Sequence, residues 1–255
     1  MTGDVRIGTA GWSIPKAVAD AFPMGGTGLQ RYAARFPIVE INSTFYRSHK
    51  PTTYARWAND TPDDFRFAMK CPKTITHEAR LKGCDQLMAR FLGGAEALGG
   101  KFRVLLVQLP PSLPFEPAVV EPFFAKLRDL EGERHVVCEP RHASWFGDEA
   151  DALLDGVRIA RVAADPAPHR GAAEPGGWRG FTYIRLHGSP RMYYSSYAGE
   201  RLGEIAKRLS RRASDTWCVF DNTASGAAVA DALELHDLLR VKSLHDLPQA
   251  LDLRR

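Results

Sequence analysis

Apolar and polar positions alternate along the chain in blocks that have the lengths of strands and helices. Eight short segments are rich in β-branched and other apolar residues, and most stop at a polar residue, glycine or proline, as buried strands do. They cover residues 5–9, 38–42, 65–70, 104–109, 135–139, 158–164, 182–187 and 217–222. Helical patterns fill most of the gaps, at residues 29–36, 52–59, 86–98, 118–130, 149–154, 197–212 and 227–239. This alternation predicts a parallel sheet with helices outside it.

The gap after the sixth predicted strand breaks this pattern. Residues 165–180 are crowded with prolines and glycines, which leave little room for a helix. We therefore expect the sixth helix to be short or replaced by a loop, which could serve as a lid. A second loop carries Tyr193, Tyr194 and Tyr197, which either close over a ligand or pack on the surface.

An open doubly wound sheet would show the same alternation, so nucleotide-binding motifs help to separate the two folds. No GxGxxG follows the first predicted strand, and no GxxxxGK[ST] occurs. The length of 255 residues is the size at which one closed barrel is usually built. We predict an α/β fold of the TIM (β/α)8 barrel type, a single domain over residues 1–255, and no nucleotide-cofactor motif.

Composition and charge narrow the class of protein. Hydrophobic residues make up 44% of the chain and charged residues 25%, which is ordinary for a globular protein, and the net charge is +4. The basic run at residues 207–212 is typical of a solvated helix face, with nucleic-acid contact as the alternative.

The four cysteines form no CxxC pair, and no leader-like or membrane-spanning apolar run is present. We expect reduced, mostly buried thiols and a cytoplasmic protein without membrane contact.

Polar residues gather where the predicted strands end. In a barrel these ends form the face that carries the active site. The residues are Glu40, Asn42, Lys70, Gln108, Glu139, Arg141, His142, Asp165, Arg185, His187, Asp221 and Asn222. Side chains two apart on a strand share a face, so Glu40 with Asn42, and Arg185 with His187, can converge. The alternative is that these charges only satisfy one another.

Seven motifs in this order resemble those of the YecE-like family of uncharacterised barrel proteins, over nearly the whole chain. They are GTAGW at 8–12, VEINSTFYR at 39–47, ITH at 75–77, QLPP at 108–111, EPRHASW at 139–145, RLHG at 185–188 and DNT at 221–223. The resemblance implies a barrel with a site at the strand ends, and no settled activity. Ala10 stands where the family often has Ser, and Asp221 where it often has Asn. The tyrosine and tryptophan that often follow the first motif are absent.

Three kinds of chemistry fit these residues. The first is hydrolysis or isomerisation assisted by a divalent metal ion, with Glu40, Glu139, Asp165 and His187 as ligands, although no short ligand motif such as HExxH occurs. The second is metal-free acid and base catalysis by Glu40 and Glu139, as in many glycosidases. Within this second kind, Lys70 with a pKa lowered by burial would be a base or a Schiff-base amine.

The third kind is binding of an anion, because guanidinium groups match phosphate and carboxylate. Gly188, Ser225 and Gly226 lie where barrels often bind phosphate. We predict an enzyme acting on a small anionic or phosphorylated substrate, with a non-catalytic anion-binding or nucleic-acid-binding module as the alternative. The catalytic candidates are Glu40, Lys70, Glu139 and His187. The substrate-binding candidates are Asn42, Tyr46, His77, Gln108, Arg141, His142, Arg185 and Asn222.

Overall fold

A computed structural model describes residues 3–245, and the parallel strands in this part of the chain form a barrel. Its strands are β1 (Val5–Ala10), β2 (Ile38–Ile41), β3 (Arg66–Lys70), β4 (Phe102–Gln108), β5 (His135–Glu139), β6 (Ala160–Arg161), β7 (Ala163–Asp165), β8 (Gly176–Gly177), β9 (Thr182–Leu186) and β10 (Thr216–Phe220). Strands β1 to β5 pair in order and in parallel, and β1 also pairs with β10, which pairs with β9. The predicted TIM-type barrel is confirmed, whereas its being a single domain stays a prediction.

The sixth position of the barrel is divided between two strands. β6 pairs with β5, and β7 pairs with β9, so the chain itself joins the two sides at Val162. The predicted strand at 158–164 is therefore interrupted, and its first residue, Arg158, has a positive φ of 57°. Residues 166–180 contain a single 3-10 turn, Arg170–Ala173, and the short antiparallel β8. This confirms that a loop replaces the sixth helix.

Seven helices cover the outside of the barrel in the described part of the chain. They are α1 (Gly28–Ala33), α2 (Pro51–Asn59), α3 (Asp85–Ala95), α4 (Pro117–Glu131), α5 (Asp148–Gly156), α6 (Gly199–Leu209) and α7 (Ala227–His245). Local sequence explains several starts: Thr27 and Gln30 form a capping box at α1, and prolines open α2 and α4. Within residues 3–245, no helix is both long and apolar enough to cross a membrane.

Strand alternation separates two apolar clusters. One fills the barrel and includes Ile38, Ala68, Leu106, Val137 and Val219, while the other lies between the sheet and the helices. Gly8 also faces inward, where a Cβ atom would lie 2.3 Å from the carbonyl oxygen of Ile38. All four cysteines are buried and free, as expected. Each strand therefore has an inner and an outer set of residues, and this decides which polar ends reach the mouth.

Candidate functional site

At the carboxyl ends of the strands, the polar side chains that meet are those that point inward, on the same face of each strand as the core residues. Glu40 is two residues after the inward-facing Ile38, and Glu139 two after Val137. Counting forward in steps of two from the inward-facing residues of the other strands gives Lys70, Gln108, Arg185, His187 and Asp221. All of these side chains are buried, each less than a tenth exposed. The structure therefore places a charged layer directly above an apolar barrel core.

Arg185 lies at the centre of this layer and is completely buried. Its Nη1 donates to Glu139 Oε2 at 2.6 Å, and its Nη2 donates to Glu40 Oε1 and to Asp221 Oδ2, both at 2.8 Å. Its Nε donates to Glu40 Oε2 at 3.1 Å. Burial disfavours the guanidinium charge, but the three carboxylates outweigh it and raise the pKa of Arg185 well above its usual range. We call Arg185, Glu40, Glu139 and Asp221 the central ion cluster.

His187 joins two of these carboxylates. Its Nδ1 lies 3.1 Å from Asp221 Oδ2, and its Nε2 lies 3.1 Å from Glu139 Oε1. Because both ring nitrogens face carboxylate oxygens, the imidazolium form satisfies both contacts. Burial lowers the pKa of His187, but the charge of Glu139 and the hydrogen bonds to both carboxylates reverse this and raise it overall. These contacts therefore favour the cationic form of His187.

Tyr183 and Asn42 also donate to the carboxylates of this cluster. The Tyr183 hydroxyl donates to Glu40 Oε2 at 2.9 Å, and Asn42 Nδ2 donates to Asp221 Oδ1 at 3.1 Å. Burial would raise the pKa of Glu139, but Arg185 and His187 hold it well below its usual range. A carboxyl group kept ionised in this way cannot donate a proton as a general acid. In a catalytic pair with Glu40, Glu139 therefore fits the role of base and not that of acid.

Lys70 differs from the rest of the layer. Its Nζ lies 4.4 Å from the centre of the Phe45 ring and, among the described residues, makes no hydrogen bond or ion pair. Burial, followed by the charge of Arg185, lowers the pKa of Lys70 to about 8, although the three carboxylates partly oppose both effects. A substantial fraction of Lys70 is therefore a neutral amine in mildly alkaline solution.

Arg141 and two neighbours line the edge of the layer. Arg141 donates to Glu139 Oε1 at 3.0 Å and to the Tyr193 hydroxyl at 3.3 Å, with 17% of its side chain exposed. His77 Nδ1 contacts the Thr76 hydroxyl, and burial followed by the charges of Lys70 and Arg141 lowers the pKa of His77. Gln108 is buried, and its side-chain amide makes no hydrogen bond within the described residues. These groups can contact a ligand that lies above Lys70.

Comparison with known proteins assigns this barrel to a protein family. A family model described as "Protein of unknown function DUF72" matches residues 6–252. The chain belongs to the DUF72 family. UPF0759 protein YecE of Escherichia coli (strain K12) is 37% identical over 169 residues, which are 64% of this chain and 60% of that protein. The match thus spans less than two thirds of this curated relative.

Other relatives match this DUF72 chain over most of its length. UPF0759 protein YunF of Bacillus subtilis (strain 168) is 22% identical, covering 98% of this chain and 99% of that protein. The crystal structure of a DUF72 family protein from Thermotoga maritima has a TM-score of 0.75 and 27% identity, covering 93% and 99% of the two chains. These matches confirm the YecE-like resemblance and the barrel fold, and they bring no activity with them.

The predicted metal ligands of the DUF72 barrel do not assemble as a set. Ala164 follows the inward parity of Val162, so Asp165 faces outward. There it accepts hydrogen bonds from the Tyr197 hydroxyl at 3.2 Å and from Arg201 at 2.5 Å. Glu40, Glu139 and His187 are held by Arg185, Tyr183 and one another. Within the described residues, no three His, Cys, Asp or Glu side chains form a group that could hold a metal ion. The four-ligand prediction is wrong because Asp165 has the opposite parity.

Asn222 also faces away from the mouth. Its Nδ2 donates to Asp231 Oδ2 at 2.6 Å and to the Ser195 carbonyl at 3.0 Å, and its Oδ1 is buried without a partner among the described residues. Its neighbour Asp221 takes the place in the site that was predicted for Asn222. Sequence reasoning also left out Tyr183. Counting by twos back from the end of each strand would have found both residues.

The remaining predicted residues lie at or beyond the edge. His142 caps the turn Ala143–Phe146 by accepting from the Ser144 amide at 3.2 Å. Tyr46 is 73% exposed and packs edge-on against Phe45. The Gly188 amide, expected to meet phosphate, donates to the Tyr197 hydroxyl at 3.0 Å. The Ser225 hydroxyl donates to the Tyr194 carbonyl at 2.5 Å. The last two donors are thus used within the protein.

Proposed function

We propose that this DUF72 barrel is an enzyme that acts on a small anionic or phosphorylated carbonyl compound, with an isomerase or hydrolase type of reaction. The observation that carries the proposal is Lys70, an unpaired buried amine with a pKa of about 8 in a layer whose other charged members are paired. An amine in this state removes a proton from carbon or attacks a carbonyl group.

The charges around Lys70 favour an anion. When Lys70 carries its proton, four cationic groups, Lys70, Arg141, Arg185 and His187, face three carboxylates, which leaves one positive charge in excess; loss of that proton makes the layer neutral. Arg141 is the partly exposed guanidinium of this group and can turn toward a phosphate or carboxylate. Arg185 and the three carboxylates would act as positioning residues, since they set the electrostatic field around Lys70 and each of them already makes hydrogen bonds within the cluster.

The pairing of all three carboxylates with donors inside the protein also favours a second candidate, a non-catalytic anion-binding module. In that case Lys70 and Arg141 would only neutralise the ligand. The two candidates differ in what they expect of Lys70: an enzyme needs its neutral amine, whereas a binding module needs its ammonium form.

Reductive trapping with glyceraldehyde 3-phosphate and cyanoborohydride tests the proposal. The Lys70 nitrogen attacks the aldehyde carbon, water leaves, and hydride from cyanoborohydride reduces the iminium to a stable secondary amine that peptide mass mapping locates. We expect labelling at Lys70 to rise with an apparent pKa near 8, against the reference value of about 10.4 for a lysine side chain. Inorganic phosphate should slow the labelling, and unphosphorylated glyceraldehyde should react at least tenfold more slowly.

Turnover is measured in the same system as solvent deuterium incorporated next to the carbonyl group of the probe. Wild-type protein should promote this exchange and Lys70→Met should not, with Lys126→Met as the matched control that leaves it unchanged. Labelling of Lys70 no faster than that of Lys126 would overturn the enzyme proposal. If phosphate stabilised the protein against thermal unfolding, but Lys70 were not labelled and the probe exchanged no deuterium, the anion-binding module would be supported instead.

A further inference from the structure

A cavity lies outside the barrel, on the side where the sixth helix is replaced by a loop. In a complete barrel a helix would cover the outer faces of β7 and β9, but here α6 covers them only in part. A space of about 320 Å³ remains between the strands and α6. We call this space the β7–α6 cavity.

The walls of this cavity are mostly apolar. Ala163, Ile184 and Leu186 line it from the sheet, and Ile205 and Leu209 line it from α6. Water is a poor filler for such a space, because a buried water molecule needs two to four polar partners. The volume is roughly twice that of the ~150 Å³ apolar cavities that bind benzene. A ligand with a body of two fused rings therefore matches its size.

Arginine side chains line the same cavity. Arg201 and Arg208 are seven positions apart and lie on one face of α6, with Ile205 between them. Arg208 donates to Glu174 Oε1 at 2.6 Å, and Arg201 contacts Asp165 and Glu204. The Glu174 side chain is 64% exposed, so an incoming carboxylate can replace it on Arg208 without uncovering a buried charge.

We propose that the β7–α6 cavity is a second ligand site, which takes a small aromatic carboxylate with its rings between the sheet and α6 and its carboxylate on Arg208. This site is separate from the mouth of the barrel and does not depend on the function proposed for Lys70. A backbone hydrogen bond links the cavity to the mouth, from the His187 amide to the Asp165 carbonyl at 2.6 Å.

Calorimetric titration with 2-naphthoate tests the site. We expect one saturable site, with the neutral isostere 2-naphthalenemethanol bound about tenfold more weakly because it lacks the charge-assisted hydrogen bond. Ala163→Ile fills the cavity from the sheet, and Ile205→Phe fills it from the helix. Each should weaken 2-naphthoate binding at least tenfold. Only a variant with the unfolding temperature of the wild type tests the cavity, because a misfolded variant would lose binding for another reason.

Arg208→Gln should remove most of the preference for the carboxylate over the alcohol, whereas Lys207→Gln on the same helix, which makes the same change in net charge away from the cavity, should keep it. Lys70→Met should bind 2-naphthoate like the wild type, which separates this site from the mouth. Unchanged binding in a folded, cavity-filled variant, or equal binding of acid and alcohol to the wild type, would overturn the proposal.

Discussion

The two ends of the barrel both carry arginine, yet the side chains there have different surroundings. At the carboxyl end Arg185 is fully buried and donates to three carboxylates. At the amino end Arg6, Arg66 and Arg103 line a cavity of about 340 Å³. Arg6 pairs with the exposed Asp4, and Arg103 makes no hydrogen bond or ion pair within the described residues. A buried arginine requires partners on every side, whereas water replaces those partners at the open end.

The histidines at the two ends respond in opposite directions. His187 lies between two carboxylates, which raise its pKa although burial opposes them. His135 stacks on Phe181 with ring centres 4.0 Å apart, and burial followed by the charges of nearby arginines lowers the pKa of His135 to about 4. Burial acts alike on both rings. The charge of the neighbours therefore decides whether a buried imidazole is a cation or a neutral ring.

Replacing the buried arginine should have the largest effect. Arg185→Met leaves three buried carboxylates without their common partner, and we expect a loss of about 3–5 kcal/mol in the free energy of unfolding. The matched change at the other end, Arg6→Met, breaks a surface ion pair with Asp4 and should cost less than about 1 kcal/mol. Urea unfolding at pH 7 measures both values. Equal losses would contradict the contrast between the two ends.

Acid should weaken the carboxyl end through Asp221. Burial opposes its charged form, but Arg185 and His187 lower the pKa of Asp221 to about 2. A lowered pKa stabilises the folded state above the unfolded value near 3.9, and this stabilisation is lost as the pH falls toward 2. Asp221→Asn should therefore be less stable than the wild type by roughly 2 kcal/mol at pH 7. The difference should shrink between pH 4 and pH 2 in unfolding experiments, and a constant difference would count against the ion cluster.

NMR titration of the histidine rings should show the opposite shifts directly. His135 is expected to titrate near pH 4, so its contribution to folding stability falls as the pH drops from about 6.5 toward 4. His187 should stay protonated above pH 6.5, and its stabilisation is lost as the pH rises through its raised pKa. His135→Phe keeps an aromatic ring against Phe181 and identifies the His135 signal. Two ordinary titrations near 6.5 would remove the contrast.

The smallest expected effect concerns Tyr193, which contacts Arg141 at the mouth. Tyr193→Phe removes long hydrogen bonds of 3.3 Å but keeps the ring edge against His187, so inorganic phosphate affinity should change less than about threefold. Arg141→Met removes the anchoring charge and should weaken phosphate binding about tenfold or more. Isothermal titration compares the two variants. A larger loss with Tyr193→Phe would make the tyrosine, not the arginine, the main contact.

Most of the fold could be predicted from local pattern. The apolar blocks match the strands within a few residues, and the run of prolines and glycines at 165–180 marks the missing helix. The site was predicted less completely. Glu40, Lys70, Glu139, Arg185 and His187 meet as expected, but Asp165 and Asn222 turn outward and Asp221 takes a place in the site. These errors have one cause: Asp165 and Asn222 were assigned to the site because they are polar and end a strand, without asking which face of the strand they occupy.

The amino-acid sequence by itself determined the alternation of strands and helices, because apolar periodicity and turn residues act over a few neighbouring positions. It also determined that charged residues follow the strands. Only the tertiary structure decided which charges pair: Glu40 and Arg185 lie 145 positions apart along the chain and meet only when the sheet closes. The tertiary structure also decided the pKa of Lys70, because this pKa depends on burial and on charges from four other strand ends. Long-range closure places these groups together, and no local pattern records it.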